Sequence, residues 1–134
     1  MRAAGGLFVP GRNLVARCVA GVVALLSAVP AQAQDAAAGE KVFKANCSIC
    51  HSVQPGRNLV GPSLFGVVSR PSGQVTGYHY SDANRKSGLT WDVATLDHYL
   101  TAPSQLVPGT RMTFPGVKNP QQRADLIAYL ATLH

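Results

Sequence analysis

Cys47-Ser48-Ile49-Cys50-His51 is the stretch on which the reading of this 134-residue chain turns. Two thiols three residues apart, followed at once by an imidazole, have the spacing of covalent c-type haem attachment. On a helical turn each residue advances by about 100°, so Cys47, Cys50 and His51 project within a quadrant to a third of the circumference. Two thiols on that face can add to the two vinyl groups of neighbouring porphyrin pyrroles, while the imidazole reaches the iron from the same side of the ring. Competing readings start from the same residues. A redox-active C-x-x-C follows a strand that feeds a helix, whereas the residues here, Ala36 to Asn46, read as a helix. A structural zinc site needs four ligands, and Cys47 and Cys50 would have to recruit two of His51, His79, His98 and His134, which lack compact finger spacing. A plain disulfide, common in exported domains, is the remaining alternative.

Upstream of this stretch the chain carries Arg2, Arg12 and Arg17, an uncharged run from Cys18 to Val29, and then Pro30-Ala31-Gln32-Ala33. That is the layout of a secretory signal with an A-x-A cleavage site, and the run is far shorter than the roughly 20 apolar residues that span a bilayer. Residues 1–33 are therefore expected to be a cleaved signal peptide, taking Cys18 with them, and residues 34–134 a single domain; a retained leader would instead anchor a fraction of the protein to the membrane. The formal charge of +6 falls to +3 once the three leader arginines are removed, because all six acids lie downstream. Such a weak positive balance does not support nucleic-acid binding. With 46% hydrophobic and 13% charged residues the chain is not of disordered composition, and its length leaves no room for a second core. It contains no internal repeat, no nucleophile with base and orienter, and no phosphate-cradling glycine loop.

Working outward, Ala36 to Asn46 predicts a first helix with Gly39, Val42 and Phe43 on one stripe and Glu40 and Lys44 as an exposed pair. Asp92 to Leu100 predicts a middle helix turning Leu96, Tyr99 and Leu100 inward. A last helix starts at the N-cap Asn119, with Pro120 in its first turn and Gln122 as capping-box partner, and buries Leu126, Ile127, Leu130 and Leu133. Ser52 to Thr90 reads mostly as loop. So loop-rich a domain buries little core of its own, and a bound haem would supply the missing apolar mass, walled by Phe43, Leu64, Trp91, Tyr99, Leu100, Phe114 and Leu126. The iron then needs a sixth ligand or an open site. Met112, the one methionine besides the initiator, lies in Pro108-Gly109-Thr110-Arg111-Met112-Thr113-Phe114-Pro115-Gly116, where glycine and proline break any long helix. A lone methionine is more often core filler than ligand, and His79 and His98 are rivals.

Taken together, the sequence resembles the class I cytochromes c, especially the soluble cytochrome c2 and mitochondrial cytochrome c branch, over nearly all of residues 34–134. The matching runs are Gly39-x-x-x-Phe43, Cys47-x-x-Cys50-His51, Gly61-Pro62-Ser63-Leu64-Phe65-Gly66, Tyr80-Ser81-Asp82-Ala83-Asn84, Gly88-Leu89-Thr90-Trp91, Tyr99-Leu100, Pro108-Gly109-Thr110-Arg111-Met112 and Asp125-Leu126-Ile127-Ala128-Tyr129-Leu130. The resemblance implies an all-α fold, with N- and C-terminal helices packed together around one covalently bound haem and with long loops. It implies haem c, one per chain, attached through Cys47 and Cys50, with His51 and Met112 as axial ligands. The Pro62 carbonyl would orient His51, Tyr99 and Thr110 would tether the Met112 loop, Phe114 would wall the pocket, and Arg70, Tyr80, Asn84 and Trp91 would meet the haem propionates.

By the same resemblance the function is one-electron transfer between larger redox partners, membrane complexes or periplasmic oxidoreductases, by an exported monomer of a bacterial periplasm that takes no small-molecule substrate and no nucleic acid. His/Met ligation raises the iron potential and leaves no open coordination site, so an enzyme is not expected. The alternative is a peroxidase-like haem enzyme or gas sensor in which the Met112 bond is labile. One departure concerns docking: Asn46, Ser104 and Gln105 stand where many relatives carry lysine, leaving a weaker positive face from Lys44, Arg57, Arg111 and Lys118. Recognition is therefore expected to use a small apolar and polar patch with modest electrostatic steering.

Overall fold

Three capping side chains organise the helical frame. In the computed structural model, which describes residues 33–134 and Gly6, Asp35 accepts the amides of Ala37 and Ala38 and starts α1, Ala36–Asn46. Asp92 accepts the Thr95 amide at 2.7 Å and starts α3, Val93–Thr101. Asn119 accepts the Gln122 amide at 3.0 Å and starts α5, Pro120–Ala131, with Pro120 in the first turn, where its missing N–H costs nothing. The middle helix thus begins one residue later than expected, with Asp92 as its cap, and runs one residue beyond Leu100. At Asn119 only half of the capping box forms, since Gln122 enters it through its backbone. Residues 1–32, which carry the expected leader, lie outside the described residues except for Gly6.

Two short helices were not legible in the sequence. Ser81, whose hydroxyl accepts the Asn84 amide, caps α2, Asp82–Lys86, within the stretch expected to be loop; α4, Pro103–Leu106, follows α3 after one residue. Five and four residues are too few to display a 3.6-residue period. Among the described residues there is no strand, and one antiparallel bridge, Pro71 to Thr90, with the Ser69 and Trp91 backbones bonded beside it, ties the long loop to the segment before α3.

The all-α architecture rests on the crossing of α1 and α5. Their backbones meet at Gly39, where a Cβ would overlap the Asp125 carbonyl oxygen and lie 2.9 Å from the Tyr129 Cβ. Phe43, one turn on, packs against Tyr129 with ring centroids 5.6 Å apart and planes tilted by 46°, and Glu40 and Lys44 pair on the exposed side. Leu126, Ile127 and Leu130 of α5 and Leu96, Tyr99 and Leu100 of α3 are buried, with Leu133 partly so. Among the described residues no helix is long and apolar enough to cross a membrane.

Candidate haem site

The site begins where α1 ends. The amides of Cys47 and Ser48 both donate to the Phe43 carbonyl, at 2.8 and 3.0 Å, and those of Cys50 and His51 both donate to the Cys47 carbonyl, at 3.0 and 2.9 Å. This turn brings Cys47, Cys50 and His51 to one cavity of about 770 Å³, a volume typical of clefts that enclose a sizeable organic ligand. His51 Nδ1 donates to the Pro62 carbonyl at 2.8 Å, which leaves Nε2 with the lone pair. The ring stands against Gly61, where any Cβ would overlap it. Burial lowers the His51 pKa, with the Pro62 hydrogen bond opposing, and so favours the neutral, metal-binding form.

All twelve residues singled out by the resemblance line the cavity. The Tyr99 hydroxyl donates to Met112 Sδ at 3.4 Å, the Met112 amide donates to Thr110 Oγ1 at 3.2 Å, and the Thr110 hydroxyl donates to Asn84 Oδ1 at 3.2 Å. Asn84 also receives the Ser81 hydroxyl at 2.8 Å, so the start of α2 and the Met112 loop share one network. Trp91 packs on Tyr99 with ring centroids 4.6 Å apart. Burial raises the Tyr80 pKa, keeping the phenol a proton donor. Arg70 is half-buried and bonded only to neutral carbonyls, those of Phe65 at 2.8 Å and Ser63 at 3.1 Å.

Other expectations need correction. Phe43 does not wall the cavity: it lies on the α5 side of α1, against Tyr129, because the close approach at Gly39 turns that stripe towards α5. His98 lies outside the cavity, in a shallow pocket with Leu89, Ala94, Thr95 and Leu106, and His79 reaches the rim with its carbonyl accepting from Arg111. Sequence reasoning missed Asn58 and Tyr78. Asn58 joins the Thr76 carbonyl to the Ser63 amide, and the Tyr78 hydroxyl donates to the Val60 carbonyl at 2.9 Å, closing the rim. Both lie in aperiodic loop, and their partners are distant enough in sequence that no local pattern marks them.

The donor set fits an iron porphyrin. A neutral imidazole nitrogen and a thioether suit haem iron, apolar walls suit the macrocycle, and the half-buried Arg70 cation without an acidic partner suits an anionic edge. Cys47 and Cys50 are not joined to each other as a disulfide, and burial, with Cys50 adding, pushes the Cys47 thiol up to about 11. That is opposite to the lowered value of a redox-active C-x-x-C nucleophile. Among the described residues no three of His, Cys, Asp and Glu gather as a zinc set.

The family model described as Cytochrome c matches residues 36–134, from the first residue of α1 to the last of the chain. The chain belongs to the cytochrome c family. Cytochrome c2 of Rhodoblastus acidophilus is 55% identical over 100 residues, covering 74% of this chain and 92% of that protein. Cytochrome c2 of Rhodomicrobium vannielii is 52% identical over 115 residues, covering 85% and 91%. Among solved structures, cytochrome cH from Methylobacterium extorquens superposes with a TM-score of 0.70 at 52% identity, covering 73% of this chain and 98% of the other. This cytochrome c is a one-electron carrier whose cofactor is haem c, attached covalently through Cys47 and Cys50. Haem c supplies the chemistry that no side chain here has, a metal that gains and loses one electron. The polypeptide holds a neutral imidazole by its far nitrogen, positions a sulfur by a hydroxyl, and surrounds both with apolar groups.

Proposed function

We propose that residues 34–134, released by cleavage after Ala33, work in a bacterial periplasm as a shuttle with His51 Nε2 and Met112 Sδ as the axial ligands of the iron. Two geometries within one cavity carry this reading: His51 Nδ1 committed to Pro62 at 2.8 Å, and Met112 Sδ held by Tyr99 at 3.4 Å. With both axial positions taken by the protein, no position remains for a substrate, and the protein is not an enzyme. Arg70 would meet the haem propionates by charge, and Tyr80, Asn84 and Trp91 would meet them by hydrogen bonds, offsetting the cost of a half-buried guanidinium. Phe114 completes the apolar wall.

Electrons come from and go to membrane redox complexes or periplasmic oxidoreductases, which dock on the monomer at the cavity rim. Ile49 and Val60 are 84% and 76% exposed there, beside Leu59. Of the nearby cations, Lys44 is paired with Glu40 and Arg57 is bonded to Gln54. An apolar centre with few free charges selects a partner face of matching neutrality.

Visible spectra of the exported protein, before and after acid-acetone extraction, test the ligand set. Haem that stays with the polypeptide is expected, together with the weak red band of methionine bound to ferric iron, and amino-terminal sequencing is expected to begin at Gln34. Met112→Ala is expected to lose the red band, lower the potential and gain peroxidase activity, whereas a haem enzyme with a labile sixth ligand would barely change. Bound haem without the red band in the wild type would overturn the ligand pair. A membrane-bound product retaining Arg2 to Ala33 would overturn the cleavage.

A further inference from the structure

The most buried ion pair among the described residues lies outside the cavity. Arg123 of α5 is only 11% exposed, and its Nε donates to Asp97 Oδ1 of α3 at 2.6 Å, with Nη2 donating to Oδ2 at 3.5 Å. The same guanidinium sends Nη1 to the Val117 carbonyl at 2.9 Å. Val117 ends the segment that carries Met112, and its amide donates back to the Leu100 carbonyl of α3 at 2.7 Å. Next to it, Gly116 sits at φ +99°, against the Thr101 carbonyl so closely that a side chain would overlap it. Lys118 Nζ donates to that carbonyl at 2.6 Å. The exit of the Met112 segment is thus fastened to the end of α3, and one guanidinium locks the fastening to α5.

The same helix also holds the sulfur, since Tyr99, two residues after Asp97, donates to Met112 Sδ. We infer that Asp97 and Arg123 form a clamp that positions Met112, so that opening this pair is coupled to withdrawal of the sulfur from the haem. Arginine is suited to this role because its planar fork can serve a carboxylate and a carbonyl together, which a lysine ammonium cannot do in the same geometry. An ion pair with one partner this buried is badly disturbed by removal of the other charge. The entrance of the segment is held by neutral bonds, Met112 to Thr110 and Thr110 to Asn84, which do not depend on the clamp. Asp97 and Arg123 are positioning residues: neither lines the cavity.

This inference rests on Met112 being an axial ligand, and the experiment separates the two. Imidazole added to the oxidised holoprotein competes with Met112 for the iron, and its apparent affinity contains the free energy of moving the sulfur away. Asp97→Asn is expected to raise that affinity by about three- to tenfold, a charge-assisted hydrogen bond at a half-exposed carboxylate being lost. Arg123→Lys is expected to act in the same direction, and Asp97→Glu to restore most of the wild-type value. Leu133→Ala, which trims the far end of the α5 packing, is expected to lower the thermal midpoint while leaving imidazole affinity unchanged. Equal imidazole affinity in Asp97→Asn and wild type, with the red band present in both, would overturn the clamp alone. A wild-type spectrum lacking the red band would overturn the ligand assignment and the clamp with it.

Discussion

Tyr99 shows how much a single hydroxyl is asked to do. Its ring is buried against Trp91 while its O–H reaches Met112 Sδ at 3.4 Å. With Met112 as the proposed axial ligand, a proton donated to its sulfur would withdraw electron density from it and so favour the reduced iron. Tyr99→Phe keeps the ring and removes only this bond, worth about 0.5–1.5 kcal/mol. The expected outcome is a reduction potential lower by tens of millivolts, at about 59 mV per tenfold for one electron. Equilibrium redox titration of the two proteins checks it, and an unchanged or raised potential would contradict the role of the hydroxyl.

At the scale of elements, the contact of α1 with α5 has no slack. A methyl group at Gly39 would overlap a backbone carbonyl, that of Asp125, which cannot swing aside as a side chain would. Gly39→Ala gains helix propensity but forces the helices apart, an overpacking cost of about 3 kcal/mol. For a domain of about 100 residues that corresponds to a Tm lower by roughly 10–20 °C, measurable by calorimetry of the holoprotein. The cap of α3 makes a different prediction. The Thr95 amide bonded to Asp92 holds that carboxyl below its ordinary value of 3.8. Because the folded value is the lower one, the cap's stabilisation is fully present above about pH 4 and is lost as acid protonates Asp92. Hydrogen exchange at the Thr95 amide is expected to accelerate relative to the α5 core below that pH, and Asp92→Asn, itself a good cap, is expected to flatten this dependence.

The whole molecule is built round what it binds. A cleft of about 770 Å³ runs through the middle of so small a protein. Without haem, the apolar walls formed by Leu64, Trp91, Leu96, Leu100, Phe114 and Leu126 would lose their packing partner and face water. Cys47→Ala/Cys50→Ala, expressed without attached haem, is therefore expected to lack the native helical signal in far-UV circular dichroism; native-like helicity would show that the walls collapse onto each other. At the proposed docking face, the apolar rim formed by Ile49, Leu59 and Val60 predicts a shallow salt response. The second-order electron-transfer rate with a purified partner complex is expected to fall by less than about tenfold from low to physiological ionic strength. A steeper fall would mean that charge steers the encounter.

Whatever depends on neighbours within a few residues was legible in the sequence. The attachment motif, the cap Asn119, the span of α1 and the apolar stripe of α5 all follow from spacings of three or four residues, which local backbone geometry translates directly into a shared face. Tertiary structure alone decided which distant groups meet. It turned Phe43 away from the cavity and onto Tyr129, joined Asn84 to Thr110, brought Asn58 and Tyr78 to the rim, and set Asp97 against Arg123. Those pairings lie in aperiodic loops or join separate elements, where no period marks a partner. Their geometry exists only once the chain closes around the haem pocket, since only then does each buried polar group have to find its complement.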